Sequence, residues 1–190
     1  MPLWLALLVG GLLAALIAFL IGWPVLRLRG DYLAIATLGF SEIIRIVITN
    51  AQSWTNGALG IKDIPALNDV RYIFIATAIT FLFVTCLINS SYGRAFKAIR
   101  EDEIAAEAMG VGLFKHKCMA FMLSAFFAGI GGGLYATLLG TVDPKNFLFT
   151  LTYNFLLIIV LGGMGSITGS MLGSIIVTAG LEYLRVFDEP

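Results

Sequence analysis

Charge is scarce in this chain: 13% of its 190 residues are Asp, Glu, Lys or Arg, against about a quarter in an ordinary soluble domain. With 59% of the residues hydrophobic, no water-exposed shell can cover the apolar surface, which excludes a soluble single-core domain. Twelve basic residues balance twelve acidic ones, and the absence of a long basic run excludes a nucleic-acid surface. Cysteine is limited to Cys86 and Cys118, far apart and in or beside apolar stretches. Without CxxC or Cys/His spacing there is no disulfide framework and no zinc site, and both read as buried thiols acting as small hydrophobes. The one histidine, His116, stands between Lys115 and Lys117 and reads as a solvated loop residue. One histidine and scattered acids supply no catalytic or metal set, so the chain is not read as an enzyme. A GxxxxGK[ST] loop is also missing, which excludes nucleotide binding by that device.

What is present is a series of apolar runs long enough to cross a bilayer. Leu3–Trp23, Tyr32–Asn50, Tyr72–Tyr92 and Cys118–Val142 each approach the roughly 20 residues a spanning helix needs. No positive residue precedes the first, so it reads as a retained helix and not a signal peptide. The uncharged run Asn146–Leu181 breaks at Gly162-Gly163-Met164-Gly165-Ser166. It predicts a helix over about 147–161 and another over about 170–185, either of them shortened or re-entrant. The fold class is therefore an all-α integral membrane bundle of about six transmembrane or partly spanning helices.

Between the third and fourth runs lies an island of charge, Gly93 to Lys117, with five of the twelve basic residues and four of the twelve acids. Positive residues mark the cytoplasmic side. This places the island and the Pro24–Asp31 loop, with Arg27 and Arg29, inside. The Ala51–Arg71 segment, the Asp143–Lys145 turn and both termini then fall outside. Within the island Glu101, Asp102 and Glu103 favour a helix start, with Asp102 as N-cap. Ala105, Ala106 and Ala108 propagate it, and Gly110 and Gly112 end it. A short helix of about two turns results, too weakly amphipathic to lie in the lipid interface.

Two polar features fall within or beside the membrane. Glu42 and Arg45 are three apart on one helix face, and each alone at mid-bilayer would cost about 2.5–3.5 kcal/mol. They read either as part of a translocation path or as an internal ion pair, snorkelling near the outer interface. The segment Thr55–Pro65, TNGALGIKDIP, reads either as a simple external hairpin or as a discontinuous helix. In the second case Thr55, Asn56, Gly57 and Gly60 could turn backbone amides toward an anionic group such as a substrate carboxylate. Small residues recur at four-residue spacing: Gly10, Ala14, Ala18 and Gly22; Ala128, Gly132, Ala136 and Gly140; Gly165, Gly169 and Gly173. With Gly129, Gly133, Gly162 and Gly163 they are expected at close helix contacts.

The residues EIAAEAMG, Glu103 to Gly110, resemble the EAA loop of bacterial ABC-importer permeases. GDYLAIATLGFSEIIRIV, TNGALGI, GRAFKAIREDEIAAEAMGV, AFFAGIGGGLYA and VLGGMGSITGSMLG follow in collinear order. Together they resemble the branched-chain amino acid (LIV-type) permeases, M-type subunit. The resemblance implies one permease transmembrane domain over residues 1–190, with 93–117 as its cytoplasmic loop. Arg100, Glu101, Asp102, Glu103, Ala105, Ala106, Glu107 and Gly110 would dock on an ABC ATPase subunit. It implies ATP on that separate subunit and no cofactor on this chain. A sister permease, an external substrate-binding protein and membrane lipid would complete the surroundings, in a bacterial or archaeal plasma membrane. A permease for a sugar, urea or nucleoside, or an ATP-independent carrier, is the alternative. Two departures are visible: Ile104 separates Glu103 from Ala105-Ala106, and permeases of this type carry further spans, so the chain is expected to be a fragment or a shortened relative.

Overall fold

The computed structural model describes residues 3–28, 30–62, 64, 71–147 and 149–188. Arg29 and Pro65 lie outside the described residues. Two compact units divide the chain, Met1–Pro144 and Lys145–Pro190.

In the first unit the helices are α1 (Leu3–Val25), α2 (Asp31–Asn50), the single turn α3 (Gln52–Thr55), α4 (Arg71–Asn89), α5 (Ser91–Glu101), α6 (Glu103–Ala108) and α7 (Leu113–Leu139). Among the described residues α1, α2, α4 and α7 are long and apolar enough to span a membrane. The main contact is α1 on α7. On α1 it runs through Leu7, Gly11, Ala18, Gly22 and Val25, all buried.

That line steps by four, seven, four and three residues, a mixture of threes and fours such as a straight helix face needs at 3.6 residues per turn. A strict four-residue stripe winds about 40° per step away from it. Hence Gly11, not Gly10, is the notch: a methyl there would meet the Phe126 ring at 2.9 Å. On α7 the partners are likewise shifted by one residue from the expected stripe. A Gly129 methyl would meet Ala14 Cβ at 2.8 Å, and a Gly133 methyl would meet Leu7 at 2.7 Å. At Gly132 the same methyl would meet nothing. Leu7 and Leu134 also bury Ala76 of α4 between them, so three spans share one small core.

The ends of this unit sort by side. At one end the Trp23 ring lies 5.3 Å from Phe114, and the Arg27 guanidinium sits 5.6 and 5.8 Å from those two rings. At the other Trp4 meets Tyr72 at 5.9 Å. Residues 4 and 23 of a helix are about 28 Å apart at 1.5 Å per residue, close to the hydrocarbon thickness of about 30 Å, and rings at both ends match interfacial belts. The second end also carries the pairing of Ile61 with Val142, N–H to carbonyl at 3.0 and 2.9 Å. Gly60 makes it possible. Its φ is +69°, and any side chain there would strike the Val142 carbonyl. Within the first unit, the described residues of the two loops expected inside therefore share one end and those of the two expected outside share the other.

The third span stops earlier than its hydropathy implied. Ser90 ends α4 by donating to the Leu87 carbonyl at 2.6 Å, and its hydroxyl accepts from Gly93 N–H to start α5. A helix thus occupies residues expected as loop. Its apolar stripe, Tyr92, Ala95, Phe96 and Ile99, faces away from Arg94, Lys97 and Arg100, the pattern of a helix lying on a surface. His116 is not a loop residue. It stands in the first turns of α7, half-buried, with its ring 6.2 Å from Phe96 and 6.5 Å from Tyr92. Cys118 is buried as expected, but Cys86 is exposed on α4.

The second unit is a helical hairpin, α8 (Phe149–Gly162) and α9 (Ile167–Asp188). At 14 residues α8 is the shorter kind of segment the sequence foresaw. Gly163 and Gly165 sit in the turn with φ of +88° and +91°. Gly162, Gly169 and Gly173 then let the two backbones touch: a Gly173 methyl would lie 2.8 Å from the Ile158 carbonyl.

Candidate functional site

The polar end of the first unit is built by α5, α6 and the start of α7. Asp102 separates the first two. In extended backbone (φ −155°) it stops α5, and its carboxylate accepts the N–H groups of Ile104 at 2.8 Å and Ala105 at 3.1 Å. Two of the four N–H groups left open at any helix start are thereby satisfied. At the other end Gly110, with φ +82°, reverses the chain while Val111 N–H reaches back to Ala106 carbonyl at 3.0 Å. Asp102→Ala is expected to cost about 1 kcal/mol. The check is amide hydrogen exchange, which should quicken at Ile104 and Ala105 first.

Orientation of α6 is set by two inward contacts. Ala106 is 3% exposed. Glu103, about a sixth of a turn away on the helix wheel, takes Lys117 of α7 at 2.6 Å. With both partners partly solvated this ion pair contributes little energy, about 0–1 kcal/mol, but it fixes which face turns out. The outward face is apolar: Ile104 is 77% and Met109 84% exposed, flanked by Ala105 and Ala108. Glu107 is exposed at its edge, and Arg100 and Glu101 pair at 2.6 Å beside it. Behind α6 a groove of about 370 Å³ is lined by Phe96, Ile99, Arg100, Glu103, His116 and Lys117.

The residues expected to act together at this end are thus brought together, with one change of role. Ala106 is spent inside the chain. Ile104, noted in the sequence as an interruption, and Met109, singled out by no sequence signal except its apolarity, form the presented surface.

The membrane polar pair is also formed. Arg45 Nε donates to both Glu42 carboxylate oxygens at 3.1 and 3.0 Å, and Nη2 closes the bridge. Both side chains remain partly exposed, 26% for Arg45 and 46% for Glu42.

Thr55, Asn56, Gly57 and Gly60 form a separate cluster at the opposite end from α6. Asn56 adopts the left-handed region at φ +56°, the only non-glycine to do so among the described residues. The amides of this loop are largely occupied locally: Thr55 on Ala51 carbonyl, Leu59 on Asn56, Gly60 on Gly57, and Gly57 on the Thr55 hydroxyl. They do not form the open amide array that a discontinuous helix would offer an anion. No group of three or more metal-ligating side chains occurs among the described residues.

Residues 1–187 match the family model described as branched-chain amino acid transport system / permease component. The chain is similar to the high-affinity branched-chain amino acid transport system permease protein LivM of Escherichia coli K12, with 38% identity over 220 residues, 98% of this chain and 52% of that one. It is 27% identical over 200 residues to LivH of Salmonella typhimurium, 91% of this chain and 63% of that one. With the guanosine ABC transporter permease protein NupQ of Bacillus subtilis it shares 28% identity over 154 residues, 70% of this chain and 48% of that one. The chain spans about half the length of the curated LivM relatives it matches. No solved structure matches it.

Proposed function

The chain belongs to the branched-chain amino acid transport system permease family, and on that premise we propose that it is a membrane-spanning part of an ABC importer for branched-chain amino acids. In this reading α6 is the coupling helix. It enters a cleft on a cytoplasmic ATPase subunit, which binds the ATP, and carries that subunit's closing motion into α7 through Glu103–Lys117 and the buried Ala106. A sister permease completes the path, and an external binding protein delivers the amino acid across the inner membrane. The observation that carries the reading is the apolar face of α6, capped at both ends and turned outward by Glu103–Lys117 at the charged end of a spanning bundle. Exposed Ile and Met side chains at the water-facing end of a membrane protein fit a protein surface they can bury against.

The test is uptake by the assembled transporter in proteoliposomes. ATP-dependent accumulation of leucine is the expected result. Uptake of leucine without ATP would make the chain a carrier and overturn the reading. ATP-driven uptake of guanosine but not leucine would keep the importer and replace its substrate, in line with the likeness to NupQ.

A further inference from the structure

Among the spans, α2 is the one with a polar stripe. Thr37, Ser41, Arg45 and Thr49 follow at four-residue steps on a line that winds by about 120°, with Glu42 beside them and Leu38 and Ile48 standing among them. Gly39, Ile43, Ile46 and Val47 fill the opposite face, with Ile35 and Phe40 at its edges. No residue of this span is buried. The apolar face suits lipid: Ile35 is 67% and Val47 60% exposed. The stripe does not, because a charged pair in the hydrocarbon region turns to protein or to a wet cavity.

Donor bookkeeping narrows what the stripe can meet. The hydroxyls of Thr37, Ser41 and Thr49 donate to carbonyls of their own helix at 2.9, 2.7 and 2.8 Å. Their oxygens keep acceptor capacity. Arg45 spends Nε and one Nη2 contact on Glu42, and no described hydrogen bond uses Nη1. Glu42 carries more acceptor sites than those contacts fill. One open cationic donor therefore stands beside one open anionic acceptor, held in register by their own bridge. The mirror of that pattern is a molecule with a carboxylate and an ammonium a short distance apart.

We propose that the Thr37–Ser41–Arg45–Thr49 stripe lines a water-filled solute path and that the Glu42–Arg45 pair receives a zwitterion, carboxylate on Arg45 Nη1 and ammonium on Glu42. The proposal rests on the permease reading and deepens it: it names the backbone of an α-amino acid, not its side chain, as what α2 recognises. Glu42 lies about 12 Å along the helix from Asn50, so the station is well inside the membrane. A bridge that is already closed offsets part of the cost of holding the two charges in the empty state and leaves the solute to add bonds, not to break them.

The experiment is thiol labelling in the assembled transporter, with Cys86 and Cys118 replaced by alanine. Single Thr37→Cys, Ser41→Cys and Thr49→Cys variants are compared with Ile43→Cys and Val47→Cys, using a charged, membrane-impermeant methanethiosulfonate. The three stripe positions are expected to react and the two apolar ones not. Leucine at ten times its Kd is expected to slow the reaction at Ser41→Cys about tenfold. Isoamylamine and 4-methylpentanoate, each keeping one of the two charges, are expected to protect little. Silence at the stripe, or equal reaction on both faces, overturns the path. Reaction without protection by leucine, or equal protection by the one-charge analogues, overturns the zwitterion station. ATP-driven leucine uptake by the unmodified transporter reports separately on the permease reading.

Discussion

Replacing Ile104 and Met109 together by aspartate is expected to weaken binding of the ATPase subunit by more than about a hundredfold while the chain still inserts and folds. The two side chains are 77% and 84% exposed, so their removal opens no cavity in this chain. On the proposed coupling role, their loss falls on the partner. A buried anchor at the centre of an interface is worth about 2 kcal/mol or more, and every 1.4 kcal/mol is about tenfold in affinity. Two such anchors, each replaced by a charge that must be desolvated, exceed that threshold. Titration of the ATPase subunit onto purified permease measures it, and an unchanged melting temperature of the permease shows that the fold survived. Undiminished binding would remove α6 from the interface.

The orientation of α6 decides how such variants must be chosen. Ala106→Glu looks like a docking mutation from sequence, where Ala105 and Ala106 form one unit of a motif. In the structure Ala106 is 3% exposed, so a glutamate there buries an unpaired carboxyl inside the chain, which is costly for reasons unrelated to any partner. Gly110→Arg has a similar fault, since φ at Gly110 is +82° and a side chain there strains the turn. Each would disturb α6 itself, so neither would locate a contact.

Much of the first unit was legible because hydropathy is a strong local signal. The spans α1, α2, α4 and α7 fall within a few residues of the apolar runs that foretold them, and the Asp102 cap was visible because a capping acid before an alanine-rich stretch has few other uses. The hidden elements are those where local signals compete or where the cause is distant. Arg94, Lys97 and Arg100 masked α5, although Tyr92, Ala95, Phe96 and Ile99 repeat with helical spacing between them. Asn56 gave no warning of its left-handed backbone. The pairing of Ile61 with Val142 joins residues from opposite sides of two spans in sequence, and no window shorter than the whole unit contains its reason. Gly129, Gly133, Ala18 and Gly22 stand at helix contacts as expected, whereas Gly10 and Gly132, reached by counting fours, miss them by one position for a geometric cause. Counting fours follows a line that winds round the helix, whereas a partner touches a line that does not.

That one-position shift has a large consequence on α7. Gly129→Leu is expected to destabilise the chain by about 1–3 kcal/mol, and Gly132→Leu to leave it nearly unchanged. At Gly129 the first added carbon already lies 2.8 Å from Ala14 Cβ, 3.0 Å from the Gly10 carbonyl and 3.0 Å from Gly11 Cα. Two of those three atoms are backbone and cannot swing aside, so α1 and α7 must separate along the contact that also positions Leu7 and Leu134. At Gly132 nothing lies within 4 Å, and leucine has the better helix propensity. In lipid, where helices hold together by close packing and not by exclusion from water, losing that approach removes the main source of association. Thermal unfolding of the purified chain in one detergent compares the two variants three residues apart. Equal destabilisation, or the reverse order, would place the α1 contact on the other face of α7 and undo the register from which the positions of Phe126 and Gly133 follow.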